Sequence, residues 1–187
     1  MKLSDLEQVA SEQKEALLQT NRGLQRKALE TLPRLDSHAL IISGIRRCGK
    51  RTLLHQYLHS IGQDFFYFNF ENIRLYDFQI KDFILLDAII EKSGVKLLFF
   101  DEVQAVTGWE LFVRQKLDRH YRIVITGSNA SLLSRELGTK LTGRQITKEL
   151  FPFSYHEFTL FKNLKPCPDS FMEYMQTGGF PEYVKIR

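Results

Sequence analysis

Ala39-Leu40-Ile41-Ile42-Ser43, running on into Gly44-Ile45-Arg46-Arg47-Cys48-Gly49-Lys50, is the stretch that decides how this chain folds. The first five residues are a short apolar run closed by glycine, the pattern of a buried strand. The next seven carry Gly-x-x-x-x-Gly-Lys, and residues 50–60 read as a helix opening directly from it. Glycines let the backbone curl so that successive N–H groups converge on one centre. The helix N-terminus adds partial positive charge, and Lys50 adds a mobile cation for outer phosphates. The candidate phosphate cradle is therefore Gly44, Ile45, Arg46, Arg47, Cys48, Gly49, Lys50, Arg51 and Thr52. One position departs from the motif. Loops of this kind place a Ser or Thr hydroxyl for Mg2+ after the lysine, and this chain has Arg51 there. Thr52 follows, but one step along a helix turns a side chain by about 100°. The expectation is that nucleotide binding survives while Mg2+ binding and hydrolysis weaken.

Outward from this loop, short apolar runs alternate with amphipathic ones. Residues 4–32 read as helix in two pieces broken near Asn21-Arg22-Gly23, with Leu17, Leu24, Ala28 and Leu32 on one face. Asp64 to Phe70 reads as an aromatic-rich strand. Asp77 to Ser93 reads as a helix with Ile80, Phe83, Ile84 and Ala88 inward. Lys96 to Phe100, Tyr121 to Thr126 and Gln145 to Leu150 read as further strands. Thr107-Gly108-Trp109-Glu110 and Ser154-Tyr155-His156-Glu157 have capping-box spacing and open helices, and Ser131 to Leu137 reads as another short helix. Near-continuous apolar strands alternating with helices predict an α/β fold of the P-loop NTPase type. Its expected form is a five-stranded, mostly parallel sheet with helices on both faces. The division is residues 1–36 as an N-terminal helical extension, 37–150 as the core, and 151–187 as the start of a helical lid, cut short.

Composition agrees with this. The chain has 187 residues, 43% hydrophobic and 26% charged, ordinary globular usage that excludes a disordered tail or a collagen-like rod. Two cysteines, Cys48 and Cys167, cannot make a disulfide framework, and a cytoplasmic, reducing setting is expected. The start of the chain is charged, unlike a secretory leader, and no run is apolar enough for a membrane span. The net charge of +4 leaves a nucleic-acid partner open, since Arg46, Arg47, Lys50 and Arg51 crowd one loop. The five histidines form no ligand pattern.

Ligands in such sheets bind at the carboxyl ends of strands. Leu97-Leu98-Phe99-Phe100-Asp101-Glu102 delivers two carboxylates to such an end, beside the phosphate loop if the two strands are neighbours. Asp101 is the candidate Mg2+ holder, and Glu102 the candidate catalytic carboxylate polarising water. Ser128 and Asn129 end the next strand, either as γ-phosphate contacts or as helix caps. Arg135 and Arg144 are candidate fingers that neutralise transition-state charge, in this subunit or on a neighbour.

The series Gly44–Lys50, Phe68-Asn69-Phe70-Glu71-Asn72, Phe100-Asp101-Glu102-Val103-Gln104 with Gly108-Trp109-Glu110, and Ile125-Thr126-Gly127-Ser128-Asn129 is followed by three more motifs. These are Leu141-Thr142-Gly143-Arg144, Phe151-Pro152-Phe153-Ser154 and Gly178-Gly179-Phe180-Pro181-Glu182. Together they resemble the bacterial and archaeal AAA-type ATPases that carry a C-terminal nuclease-like domain. The resemblance covers residues 20–187. It implies ATP and Mg2+, Lys50 on phosphates, Asp101 on metal, Glu102 as catalytic carboxylate and Asn129 or Ser128 as sensor. It also implies a further domain in cis and a possible homo-oligomer. The leading expectation is an ATPase module that drives conformational change in an attached domain. The alternatives are a nucleotide-binding switch with little hydrolysis, because of Arg51, and a basic nucleic-acid-binding module.

Overall fold

The computed structural model describes residues 1–128, 140–141 and 143–186. Five strands form one sheet: β1 (Ala39–Gly44), β2 (Phe66–Asn69), β3 (Leu97–Asp101), β4 (Arg122–Ser128) and β5 (Gln145–Glu149). Their order is β2-β3-β4-β1-β5, and every pairing is parallel, so the sheet is more regular than the mostly parallel one expected. The helices are α1 (Leu3–Gln19), α2 (Lys50–Ile61), α3 (Phe83–Ser93) and α4 (Trp109–Asp118), then α5 (Tyr155–Lys162), α6 (Pro168–Thr177) and α7 (Pro181–Ile186).

Strand alternation sends neighbouring side chains to opposite faces, and the core divides accordingly. Ile41, Phe68, Leu98, Phe100 and Ile125 face α1, α3 and α4, meeting Leu6, Val9, Phe83, Leu86, Phe112 and Val113. Leu40, Ile42, Tyr67, Phe99 and Val124 face α2, meeting Leu53, Leu54, Tyr57 and Leu58. Burial on both faces is why β1 and β3 read as unbroken apolar runs, whereas the edge strand β5 is half-buried to exposed and carries polar residues. The exposed edge of β2 is covered rather than left open. The Gln13 side-chain amide on α1 donates to Asn69 O (2.9 Å) and accepts from Asn69 N (2.8 Å), standing in for a further strand.

Several local expectations are corrected. Only Lys27–Thr31 is helical in the second N-terminal piece, as a 3-10 turn. Residues 22–26 are held instead by the Gln56 side chain, which donates to Arg22 O and Leu24 O and accepts from Arg26 N. α3 turns Phe83, Leu86, Ile89 and Ile90 inward, while Ile84 and Ala88 are exposed, as is Ile80 in the 3-10 turn before it. Two faces of that helix carry apolar residues, and packing chose the one with Leu86. The helix at Trp109 is capped by Gly108 at φ 80°, not by Thr107. The capping box at Ser154 and Glu157 forms as expected. The expected helix at Ser131 to Leu137 lies outside the described residues.

Candidate functional site

The parallel register brings four strand ends to one edge of the sheet. Gly44 closes β1 opposite Ser128 of β4, and Asp101 closes β3 opposite Asn69 of β2. β1 and β3 are not neighbours, as the simplest reading of the acidic strand end required. β4 lies between them, so the loop and the carboxylates share an edge across one intervening strand.

Residues 44–50 curl as a glycine-bounded loop into α2. A β-carbon on Gly44, at φ +152°, would overlap the Leu150 carbonyl oxygen and approach Cys48 Sγ to 2.9 Å. Gly49, at φ +98°, would bring a β-carbon to 2.8 Å from Arg26 Nη1. Both positions therefore demand glycine on backbone and on space. Lys50 is buried and folds back, its Nζ donating to Gly44 O (3.0 Å) and Ile45 O (3.3 Å). Arg46 and Arg47 are exposed and meet Glu71 (3.5 Å) and Glu182 (3.4 Å). Cys48 is fully buried, and burial pushes its thiol pKa up, so it is an unreactive packing residue.

Asp101 is buried at the end of β3 with a hydroxyl on each oxygen. Thr126 donates to Oδ1, and Tyr67 donates to Oδ2 at 2.8 Å. Burial pushes the Asp101 pKa up, against the Thr126 and Tyr67 hydrogen bonds; Glu102 adds to the rise, and the Arg51 charge opposes it. Burial likewise raises the Tyr67 phenol, as does the neighbouring Asp101 charge. Glu102 sits in the left-handed region at φ 52°. Its backbone N–H donates to Thr126 Oγ1 (3.3 Å), and its carboxylate accepts from Gln104 Nε2 at 2.5 Å. Thr126, Tyr67 and Gln104 were not singled out in the sequence as site residues. Tyr67 reads there as one more aromatic in a core strand.

Thr52 faces away from this carboxylate pair. It lines a cleft of about 360 Å³ with Gly23, Arg26, Gly49, Phe153 and Pro181. The roof of this cleft is built by two late motifs packing together. Phe153 N donates to Gly179 O at 2.7 Å, and a β-carbon on Gly179 would overlap the Phe153 carbonyl. Arg26 is 2% exposed at its base and pairs with Glu157 of α5, Nε to Oε1, at 2.9 Å. Burial raises the Glu157 pKa, but hydrogen bonds from Ser154 and Arg26 outweigh it and hold the carboxyl below its usual range. Removing one partner of such a buried pair typically costs ~3–5 kcal/mol. A buried arginine has no signature in a sequence, and only tertiary structure reveals this one.

Arg144 lies at the other edge of the sheet. It immediately precedes β5, its carbonyl accepts from Ala39 N (3.0 Å), and its guanidinium pairs with Asp118 (2.7 Å). It is not gathered at the loop, so a finger role would have to be played on a neighbouring copy. Asn129, Arg135 and the side chain of Ser128 lie outside the described residues. Among the described residues, no group of three or more His, Cys, Asp or Glu could hold a metal ion. No helix among them is long and apolar enough to cross a membrane.

A parallel five-stranded sheet with a Gly-x-x-x-x-Gly-Lys loop feeding a helix defines a P-loop NTPase fold. More narrowly, the chain belongs to the AAA domain family, whose model matches residues 36–159. It is 36% identical over 159 residues to the uncharacterized protein MJ1544 of Methanocaldococcus jannaschii, covering 78% of this chain and 36% of that protein. It is 37% identical over 161 residues to an uncharacterized protein of Haemophilus influenzae, covering 77% of this chain and 40% of the relative. The matched region thus spans well under half the length of either. Among solved structures it resembles the Thermotoga maritima RuvB Holliday junction branch migration motor, with a TM-score of 0.52 at 16% identity. That match covers 79% of this chain and 51% of the RuvB chain, and it supports the fold alone.

Proposed function

We propose that this chain is an ATP-binding module of the AAA type that hydrolyses ATP by in-line attack of water. The observation that carries this reading is the shared sheet edge: the loop ending in buried Lys50 and the Asp101-Glu102 pair open toward the same side. The backbone N–H groups of residues 45–50 would cradle the phosphates, with Lys50 leaving its two carbonyls for them. The cleft lined by Gly23, Thr52 and Phe153 would receive the nucleoside. Glu102 would accept a proton from the attacking water, held in line by Gln104.

Asp101 offers the hard oxygen donor that Mg2+ takes, through water, and the ion would neutralise phosphate charge. No loop hydroxyl assists it, because Arg51 stands there. A second reading, a nucleotide switch with slow hydrolysis, is favoured by that one residue. Arg51 already contributes positive charge near Asp101, where a metal would add more. A basic nucleic-acid module is the remaining alternative, and it predicts salt-sensitive binding that ATP does not displace. We retain the three-part division at 1–36, 37–150 and 151–187, a cytoplasmic setting, a further domain in cis and a possible homo-oligomer as parts of the same proposal.

The test is thermal stability of the chain with ATP, with and without Mg2+, followed by phosphate release from the wild type and Glu102→Gln. A ligand at one hundred times its Kd stabilises by ~2.7 kcal/mol. No stabilisation by ATP under either condition would end the nucleotide reading. Stabilisation with equal, negligible release from both proteins would select the switch.

A further inference from the structure

Arg26 touches three parts of the molecule with one rigid group. Its Nη1 donates to Cys48 O in the phosphate loop at 2.7 Å. Its Nη2 donates to Phe151 O at 2.7 Å, and its Nε to Glu157 Oε1 at 2.9 Å, both in the C-terminal segment. The guanidinium lies over the Phe153 ring, 4.9 Å from its centroid. Its own backbone N–H is fixed by Gln56 of α2 at 2.9 Å. A guanidinium is a planar fork with donors at set angles. The loop carbonyl and the C-terminal contacts therefore cannot shift independently while all three bonds last.

The contact with Cys48 O has a consequence for the loop. The Cys48–Gly49 peptide is planar and trans, so its N–H points opposite to its carbonyl. Drawing the carbonyl toward Arg26 turns the Gly49 N–H away from it, leaving that donor for the cradle. Gly49 carries no β-carbon where Nη1 passes.

We infer that Arg26 is a positioning residue that sets the Cys48–Gly49 peptide for phosphate and makes its orientation depend on docking of the 151–184 segment. The inference rests on the proposed nucleotide site, and it adds that phosphate binding and lid docking are linked. Linkage is reciprocal: whatever factor docking adds to ATP affinity, ATP adds to docking. The glutamate provides the lid side of the link. Four donors hold its carboxylate in place, since Lys27 N (3.1 Å), Ser154 N (2.9 Å) and Ser154 Oγ (3.1 Å) donate to it alongside Arg26.

The experiment compares the 187-residue chain with Glu157→Gln, Arg26→Lys and the double variant. ATP affinity is measured by calorimetry, and amide hydrogen exchange over 151–184 is followed with and without ATP. The wild type is expected to gain protection in α5 when ATP binds. Each single variant is expected to bind ATP about tenfold more weakly, inside the 5–150-fold range of typical couplings, and to lose the ATP-dependent protection. The double variant is expected to lose little more than either single one, because both cut the same link. Variants with lower melting temperature but ATP affinity within twofold of wild type would make Arg26 a plain structural strut and overturn the inference. If Arg26→Lys does not fold, Glu157→Gln and the wild-type exchange still decide: unchanged α5 exchange on ATP binding overturns it. A wild type that binds no ATP removes the nucleotide reading itself, and this inference with it, which is a different result from binding without coupling.

Discussion

Replacing Tyr67 by Phe removes one oxygen from the interior and tests what holds Asp101. The Tyr67 side chain is 1% exposed and Asp101 is 3% exposed, so water cannot replace the lost donor from bulk. The bond removed is a hydroxyl to a carboxylate oxygen at 2.8 Å. A hydrogen bond to a charged group contributes ~1.5–3 kcal/mol, and the cost falls near that figure when the acceptor stays buried. The ring keeps its place beside Phe99, its register partner on β3, in the core under α2, so no large cavity adds to it. The expected loss is ~2 kcal/mol, or about 4–8 °C in melting temperature for a chain of this size. Urea unfolding should show a lower midpoint with unchanged slope, the mark of altered stability rather than altered compactness. Combining Tyr67→Phe with Asp101→Asn should cost less than the sum, because both changes dismantle the same contact. A loss under ~0.5 kcal/mol, the level of an ordinary surface change, would mean that the hydroxyl does not hold the carboxylate, and the account of Asp101 would fall.

Three further outcomes are expected. Arg51→Ser restores a loop hydroxyl, and a hydrogen bond's worth of ~1.4 kcal/mol at the metal corresponds to about tenfold in Mg2+-dependent phosphate release; no rise in release would clear Arg51 of weakening the metal site. Gly44→Ala forces a β-carbon against Leu150 O, and strain plus overpacking should cost ~2–5 kcal/mol, read as a large fall in melting temperature; a change within ~1 kcal/mol would show that the loop relaxes freely. Glu157 has its folded pKa held down, so its stabilising effect is present above the unfolded value of ~4.3 and is lost as pH falls through the lower folded value. The melting-temperature gap between wild type and Glu157→Gln should then stay level from neutral pH to about 5 and close only below about 4, and a gap already closing near pH 6 would contradict that.

The sheet was legible because parallel strands buried on both faces leave unbroken apolar runs, and Ala39–Ser43 and Leu97–Phe100 are such runs. Their order was not, since nothing in the string says that β4 enters between β1 and β3. Helix faces were less secure. Residues 80–90 carry apolar side chains on more than one face, and only packing selected Phe83, Leu86 and Ile89 over Ile84. Composition could not show that residues 22–26 leave the helix, because a single distant side chain, Gln56, supplies their hydrogen bonds. At the candidate site, the glycines, Lys50 and the carboxylates announce themselves by spacing. Tyr67, Thr126 and Arg26 do not, because each acts through a tertiary contact, from β2, β4 and the N-terminal segment respectively.

The partners of the loop's cations explain how three of them coexist in seven residues without tearing it apart. Lys50 gives its charge to two carbonyls of its own loop, and Arg46 and Arg47 lean on Glu71 and Glu182. The two arginine pairs are well exposed, and pairs of that kind contribute only ~0–1 kcal/mol each. The buried contacts of Arg26 are of another order, since breaking them strands a charge away from water. In the proposed complex a polyphosphate would replace the weak, exposed partners of Arg46 and Arg47 and draw Lys50 off its two carbonyls, while the Arg26 joint that shapes the backbone stays intact. Such a loop exchanges partners readily at its exposed arginines and is costly to deform at Arg26, which suits the proposed anion-binding role.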